Sequence, residues 1–183
     1  MAKDSLGLIE LTSIAAGYQV TDAMLKAADV GLVLSRSICS GKYMVMVRGD
    51  VAAVDAAVAS GRRAGHFSVV DSFVIPNLHE AVFPALSGIT KVEALEALGI
   101  VESFSVASLI EGADAAVKAA NIQLIEIRLA MALGGKAFVT LTGSVAAVQS
   151  AVDAGAHAVG AKGMLVNKVV IPSPRPELLN EMI

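Results

Sequence analysis

Asp22-Ala23-Met24-Leu25-Lys26-Ala27-Ala28-Asp29-Val30 is answered, without a gap, by Asp114-Ala115-Ala116-Val117-Lys118-Ala119-Ala120-Asn121-Ile122. The offset is 92 residues, and Gly7-Leu8-Ile9-Glu10 meets Gly99-Ile100-Val101-Glu102 at the same distance. Farther on, Val51-Ala52-Ala53-Val54-Asp55-Ala56-Ala57-Val58 matches Val145-Ala146-Ala147-Val148-Gln149-Ser150-Ala151-Val152, and the offset has grown to 94. A period this long is one small domain, so the chain reads as two copies of one fold in tandem. The division this implies is a first domain over residues 1–80, a linker over 81–97, a second domain over 98–173 and a tail over 174–183.

Domains of roughly 85 to 90 residues hold a modest core and gain from burying further surface. Apolar residues make up 55% of the chain and aromatics only 4%, with Ala, Val, Gly and Leu prominent. Small side chains let backbones approach closely, a composition suited to extensive packed interfaces. The net charge of -3 gives no attraction for nucleic acid or an anionic membrane, and neither is expected as a partner. No uninterrupted apolar run of about 18 residues occurs. Lys3 and Asp4 stand where a secretory signal needs an apolar stretch, so a cytosolic chain is expected. The one cysteine, Cys39, excludes an internal disulfide framework.

The elements repeat with the sequence. Leu6 to Leu11 reads as a strand, and Ser13 caps a helix running to about Ala28, with Ile14, Tyr18, Leu25 and Ala28 as its apolar positions. Gly31–Ile38 and Tyr43–Arg48 form a hairpin across Ser40-Gly41-Lys42. Asp50 caps a second helix with Val51, Val54 and Val58 on one face, and Ser144 holds the matching cap. Phe67 to Ile75 is the last strand, stopped by Pro76 as Leu165 to Ile171 is stopped by Pro172. The order βαββαβ specifies an α+β fold, a split βαβ, ferredoxin-like unit with helices on one face of a mostly antiparallel sheet. The two residues by which the offset grows fall between Arg128 and Lys136. The linker carries one short helix, and Thr90-Lys91-Val92-Glu93 has capping-box spacing for a final turn. Beyond Pro172, Ser173-Pro174-Arg175-Pro176 is predicted extended and Glu177–Ile183 a short helix; the tail's simplest role is to cover an exposed apolar edge.

Gly7-Leu8-Ile9-Glu10, the Asp-Ala-x-x-Lys-Ala-Ala helix, Gly41-Lys42 ahead of a Val-rich strand, Gly49-Asp50-Val51 and the closing Val74-Ile75-Pro76 together resemble the bacterial microcompartment (BMC) shell domain. Each short motif is weak alone; their common order and spacing, seen twice and not circularly permuted, is specific. Glu10-Leu11-Thr12-Ser13-Ile14-Ala15 and Ile38-Cys39-Ser40-Gly41-Lys42 make the chain most similar to the tandem-domain type of propanediol-utilisation shells. The resemblance implies a homotrimer forming a flat pseudohexameric tile with a central pore. Such tiles pack edge to edge with other BMC shell proteins around enzymes, within the cytoplasm. It also places Lys26 and Lys118 at tile edges; read from spacing alone, each is the acid-first partner of Asp22 or Asp114 on a solvated helix.

The resemblance further makes Ser37, Ile38, Cys39, Ser40 and Gly41 pore-lining, with Met131, Ala132, Leu133 and Gly134 as their counterparts in the second copy. A threefold axis would gather three copies of Cys39. Iron–sulfur centres are held by cysteine thiolates, four for a [4Fe–4S] cluster, so three would leave one iron open to another ligand. One such cluster per trimer is the implied cofactor, with Cys39 as the metal ligand and an encapsulated redox enzyme as the partner a relay would have. A lone cysteine read without context is a small buried hydrophobe. The second-copy loop has neither thiol nor charge and is expected to shape the pore or stand back from it.

No enzyme is expected. His66, His79 and His157 lack ligand spacing and read as surface or interface side chains. Gly155–Gly163 superficially resembles a phosphate loop, but Ala161 occupies the lysine position. Glu10 and Glu102 match in the first strand of each copy and suit a structural hydrogen bond rather than an acid–base pair. Three functions remain: a structural tile with a pore, a tile that also relays electrons through Cys39, and a tandem ferredoxin-like regulatory module binding a small ligand.

Overall fold

Residues 5–88, 90–92, 95–129, 134–175 and 177–178 are described by the computed structural model of the chain. It divides after Leu78 into two compact units. The first runs β1 (Ser5–Leu11), α1 (Ile14–Ala27), β2 (Gly31–Ile38), β3 (Lys42–Gly49), α2 (Val51–Gly65) and β4 (Val69–Ile75). The second begins with a short helix, α3 (Val82–Ser87), and then repeats the series as β5 (Ala97–Ser103), α4 (Val106–Ala119), β6 (Gln123–Leu129), β7 (Ala137–Gly143), α5 (Val145–Gly160) and β8 (Leu165–Pro172). Each unit has an antiparallel four-stranded sheet, ordered β2-β3-β1-β4 in one and β6-β7-β5-β8 in the other. This is the split βαβ arrangement expected from the element order.

Four helices start on side-chain caps, three of them the expected Ser13, Asp50 and Ser144 and the fourth Ser105. Ser13, Asp50, Ser105 and Ser144 accept hydrogen bonds from Ala16, Ala53, Ser108 and Ala147 N–H. Each cap contributes about 1 kcal/mol. Behind them, Ile9, Leu11, Val45 and Val47 meet Val20, Met24, Val54, Ala57 and Val58 in the core of the first unit. Gly7 and Gly99 sit where helix meets sheet: a Cβ would lie 2.6 Å from Val58 Cγ2 in one copy and 2.7 Å from Val152 Cγ2 in the other. That close approach accounts for the glycine opening each Gly-x-x-Glu motif.

Sheet register refines the repeat. Leu6 lies opposite Ile75 and Leu98 opposite Ile171, so the last strands correspond at an offset of 96. Two residues enter between β6 and β7, and two more between α5 and β8, which identity alone did not locate. A register shift recurs at Glu10/Leu11 and at Glu102/Ser103.

Four expectations change. The strand predicted from Phe67 begins at Val69, because His66–Ser68 forms a 3-10 turn with His66 at φ 43° and Phe67 fully exposed. On α1 the buried face is Gly17, Val20 and Met24, while Ile14, Tyr18 and Leu25 are exposed. The helix is apolar on two sides, and periodicity cannot say which one meets its own sheet. Thr90–Val92 lies outside any helix, and Glu93 falls outside the described residues. Ser173 is not extended: it turns through φ 49°, donating its N–H to Glu96 O at 3.1 Å. Glu177 and Leu178 are helical; the rest of the expected tail helix lies outside the described residues.

At one contact the copies exchange volumes. The Tyr43 ring fills the space over Gly17, where a Cβ would come within 2.2 Å of it. The equivalent positions in copy two are Leu109 and Ala137, both fully buried. Around Tyr43 runs a hydroxyl chain. Thr21 donates to Gly17 O at 2.8 Å, so Ser35 donates to Thr21 at 2.8 Å and Tyr43 donates to Ser35 at 3.0 Å. Copy two replaces Thr21 and Ser35 with Ala113 and Ile127. Gly17→Ala should therefore destabilise the protein by about 1–3 kcal/mol through overpacking. The double variant with Tyr43→Ala should lose less stability in urea unfolding than the two single variants summed; an additive double variant would show that the two residues do not compete for space.

Candidate functional site: the β2–β3 turn

The chain reverses between β2 and β3 in a 3-10 turn, Cys39–Gly41, with Gly41 at φ 69°. Ile38 is buried at its base, Ser37 is exposed and Cys39 is half-buried. The five first-copy residues expected at a pore are thus brought together at one hairpin tip. In copy two the tip is the β6–β7 connection. Gly134 and Gly135 there take φ 61° and 88°, and Met131, Ala132 and Leu133 lie outside the described residues.

An ion pair braces each turn from the same side. Lys42, the first residue of β3, bonds Glu10 Oε1 at 2.8 Å, and Lys136 bonds Glu102 Oε1 at 2.5 Å. Glu10 and Glu102 therefore act as structural acceptors. The pairs are partly exposed, and each is worth at most about 1 kcal/mol. Their place at the strand ends fixes the turn against β1 and β5. Sequence reasoning missed a second charged position. Arg128 grips Glu126 Oε1 through Nε at 2.9 Å and through its terminal nitrogen at 2.7 Å, and its guanidinium lies 5.6 Å from the centre of the Phe138 ring. Arg36 holds the same register in copy one, but Leu34 and Met44 stand in place of Glu126 and Phe138. The recurrence of arginine at offset 92, close to the turn, was the available signal.

The expected edge lysines lie on α1 and α4. Lys26 is well exposed and pairs with Asp22 at 2.6 Å; Lys118 pairs with Asp114. Asp114 also accepts the His79 N–H at 2.8 Å, and His79 Nδ1 in turn accepts from Ala81 N–H at 3.2 Å, starting α3. His66 ends α2, beside a shallow cleft lined by Arg62, Val69, Val70, Asp71 and Ser72. His157 and the glycine run as far as Gly160 belong to the last turns of α5, with residues 161–163 in the turn that follows, so that run is no phosphate loop.

Among the described residues, no three His, Cys, Asp or Glu side chains of the chain converge to hold a metal. A thiolate-bound centre thus fits this chain only when Cys39 is shared among several copies. Among the described residues, two carboxyls are held below their ordinary range, and neither belongs to the turn. Asp153 is lowered by hydrogen bonds from Lys168 and Gln149, at 2.6 and 3.0 Å, and Glu177 by backbone and Arg175 donors. Both are exposed ion-pair members rather than poised acids. No helix among the described residues is long and apolar enough to cross a membrane.

The chain belongs to the BMC domain family, whose model matches residues 5–78 and again 97–174. It is 44% identical over 179 residues to the bacterial microcompartment shell protein PduT of Citrobacter freundii, covering 98% of this chain and 97% of that one. The shell protein PduA of the same organism is 41% identical over 86 residues, 45% of this chain and 90% of its own length. A crystal structure of a microcompartment protein from Desulfitobacterium hafniense superposes with a TM-score of 0.95 at 50% identity, covering 98% of this chain and 99% of that one.

The low Asp153 titration has one main cause on its surface. Lys168→Met should return that carboxyl toward the ordinary aspartate range in an NMR pH titration. An unchanged titration would mean that the Lys168–Asp153 pair does not form in solution.

Proposed function

We propose that this chain is a structural shell protein of a bacterial microcompartment in the cytoplasm. Three copies form a pseudohexameric tile with a central pore, and the tile joins other shell proteins at its edges. The observation that carries this reading is the matched pair of complete BMC folds in one chain. Two similar wedges per chain let three chains imitate a closed ring of six, as cyclic symmetry requires. The names of the similar proteins, all shell or microcompartment proteins, support a structural role over an enzymatic one.

The axis of such a ring receives the Cys39 turn three times. Three Cys39 thiolates then serve as ligands of one [4Fe–4S] cluster, which when bound supplies single-electron transfer across the shell or is itself the cargo. The braced turn, closed by Gly41 and tied by Lys42 to Glu10, carries the thiol between β2 and β3. The second-copy turn contributes no thiol, so the donor set is three and leaves one ligand position to a partner or water.

Two experiments test the reading. Anaerobically purified protein should carry iron and the visible absorption of an iron–sulfur centre, both lost in Cys39→Ser while the trimer remains. Iron-free anaerobic protein would leave a tile whose pore passes metabolites without a cluster. The double variant Lys26→Ala with Lys118→Ala should form trimers yet lose extended sheets in negative-stain microscopy. Undiminished sheets would remove the edge role of the two lysines, and discrete dimers of wild-type protein would favour a regulatory module instead.

A further inference from the structure

We propose that the segment following β8 of one chain docks on the β2–α1 flank of a second copy. It would repeat between chains the seat that the segment following β4 takes on β6 and α4. The inference rests on the cyclic tile and supplies its chain-to-chain strap.

The two segments leave their strands in the same way. Ile75-Pro76 is followed by Asn77 at φ 56°, and Ile171-Pro172 by Ser173 at φ 49°. Positive φ is uncommon outside glycine, so its recurrence at equivalent positions marks a repeated motif. One turn later Val82 N–H donates to His79 O at 3.0 Å, and Leu178 N–H donates to Arg175 O at 3.0 Å.

The first segment has its seat inside the second unit. Asp114 Oδ1 accepts the His79 N–H, α3 packs on β6 and α4, and Val82 and Ala85 are fully buried. Leu178, the counterpart of Val82, is 40% exposed.

The equivalent seat in the first unit is built and open. Asp22 holds Lys26 through Oδ2, as Asp114 holds Lys118, and its Oδ1 makes no hydrogen bond among the described residues. The Asp22 side chain is 60% exposed against 13% for Asp114. Leu32 is 48% exposed where Leu124 is 1%, and Tyr18 is 67% exposed where Ile110 is 0%. Ile14 and Leu25 extend the same apolar face of α1.

The occupant matches the seat. In Pro174-Arg175-Pro176 the one backbone N–H belongs to Arg175, the counterpart of His79, and it would meet Asp22 Oδ1. Leu178 would cover Leu32 and Tyr18. The linker segment reaches forward from the first domain to the domain that follows it. In a closed ring, the domain following the second is the first domain of the next chain, so the contact is heterologous and closes head to tail.

The test places a benzophenone amino acid at Leu178 in the full chain and photolyses a mixture of isotope-labelled and unlabelled protein. Crosslinks joining labelled to unlabelled chains within Gly31–Ile38 or α1 are expected; crosslinks confined to one chain, or elsewhere, overturn the proposal. Leu178→Glu and Leu32→Glu should each raise the trimer dissociation constant about tenfold or more, from lost apolar burial. Because both side chains are exposed in the single chain, circular dichroism should be unchanged. Leu178→Lys combined with Leu32→Glu should recover much of the loss through opposite charges. Trimers indifferent to all three variants would remove the strap and leave the tile standing, whereas wild-type protein that forms no cyclic oligomer would remove both.

Discussion

A four-stranded antiparallel sheet ends in two strands whose outer N–H and C=O groups have no partner within the domain, and much of this molecule is arranged around that constraint. In the second unit β6 is covered by α3, and Leu124, Ile125, Ile127 and Leu129 are buried. In the first unit the equivalent β2 keeps Gly31, Leu32, Arg36 and Ser37 exposed. The same fold therefore presents one closed and one open version of a single flank. The proposed contact between chains would cover that open apolar flank.

Duplication keeps the frame and frees the details. Strand order, register shifts, helix caps and the Glu–Lys brace are common to both copies. The interior diverges by compensation: Gly17 with Tyr43 in one copy, Leu109 with Ala137 in the other. The hydroxyl chain from Tyr43 to Gly17 ties the hairpin that carries Cys39 to α1, and copy two has only apolar residues at those places. Volume can be traded across a contact at small cost, whereas a buried hydroxyl needs partners that must change together.

The divergence has a functional consequence. A sixfold ring of identical domains would set six identical turns about its axis. In the proposed trimer, two unlike copies per chain would reduce this to three turns bearing a thiol and three without. In the proposed ring the number of thiol donors would follow from symmetry acting on one residue, while the Glu10–Lys42 pair and Gly41 flank that residue in the single chain. Beside the turn, Lys42 and Glu10 are joined in an ion pair.

The repeated motifs alone determined the two-copy architecture, the element order, three of the four helix caps and the hairpin bearing Cys39. Capping, strand patterning and turn chemistry are local, so each is written within a few residues. Tertiary structure decided what depends on distant segments meeting. It showed which of the two apolar faces of α1 meets its sheet, that the last strand starts at Val69 rather than Phe67, and that two further residues enter before β8. It also showed that Asp114 accepts the His79 N–H while Asp22 stands open. These facts are long-range because a helix apolar on two sides, or an aspartate four residues before a lysine, has the same sequence whether or not another segment packs against it.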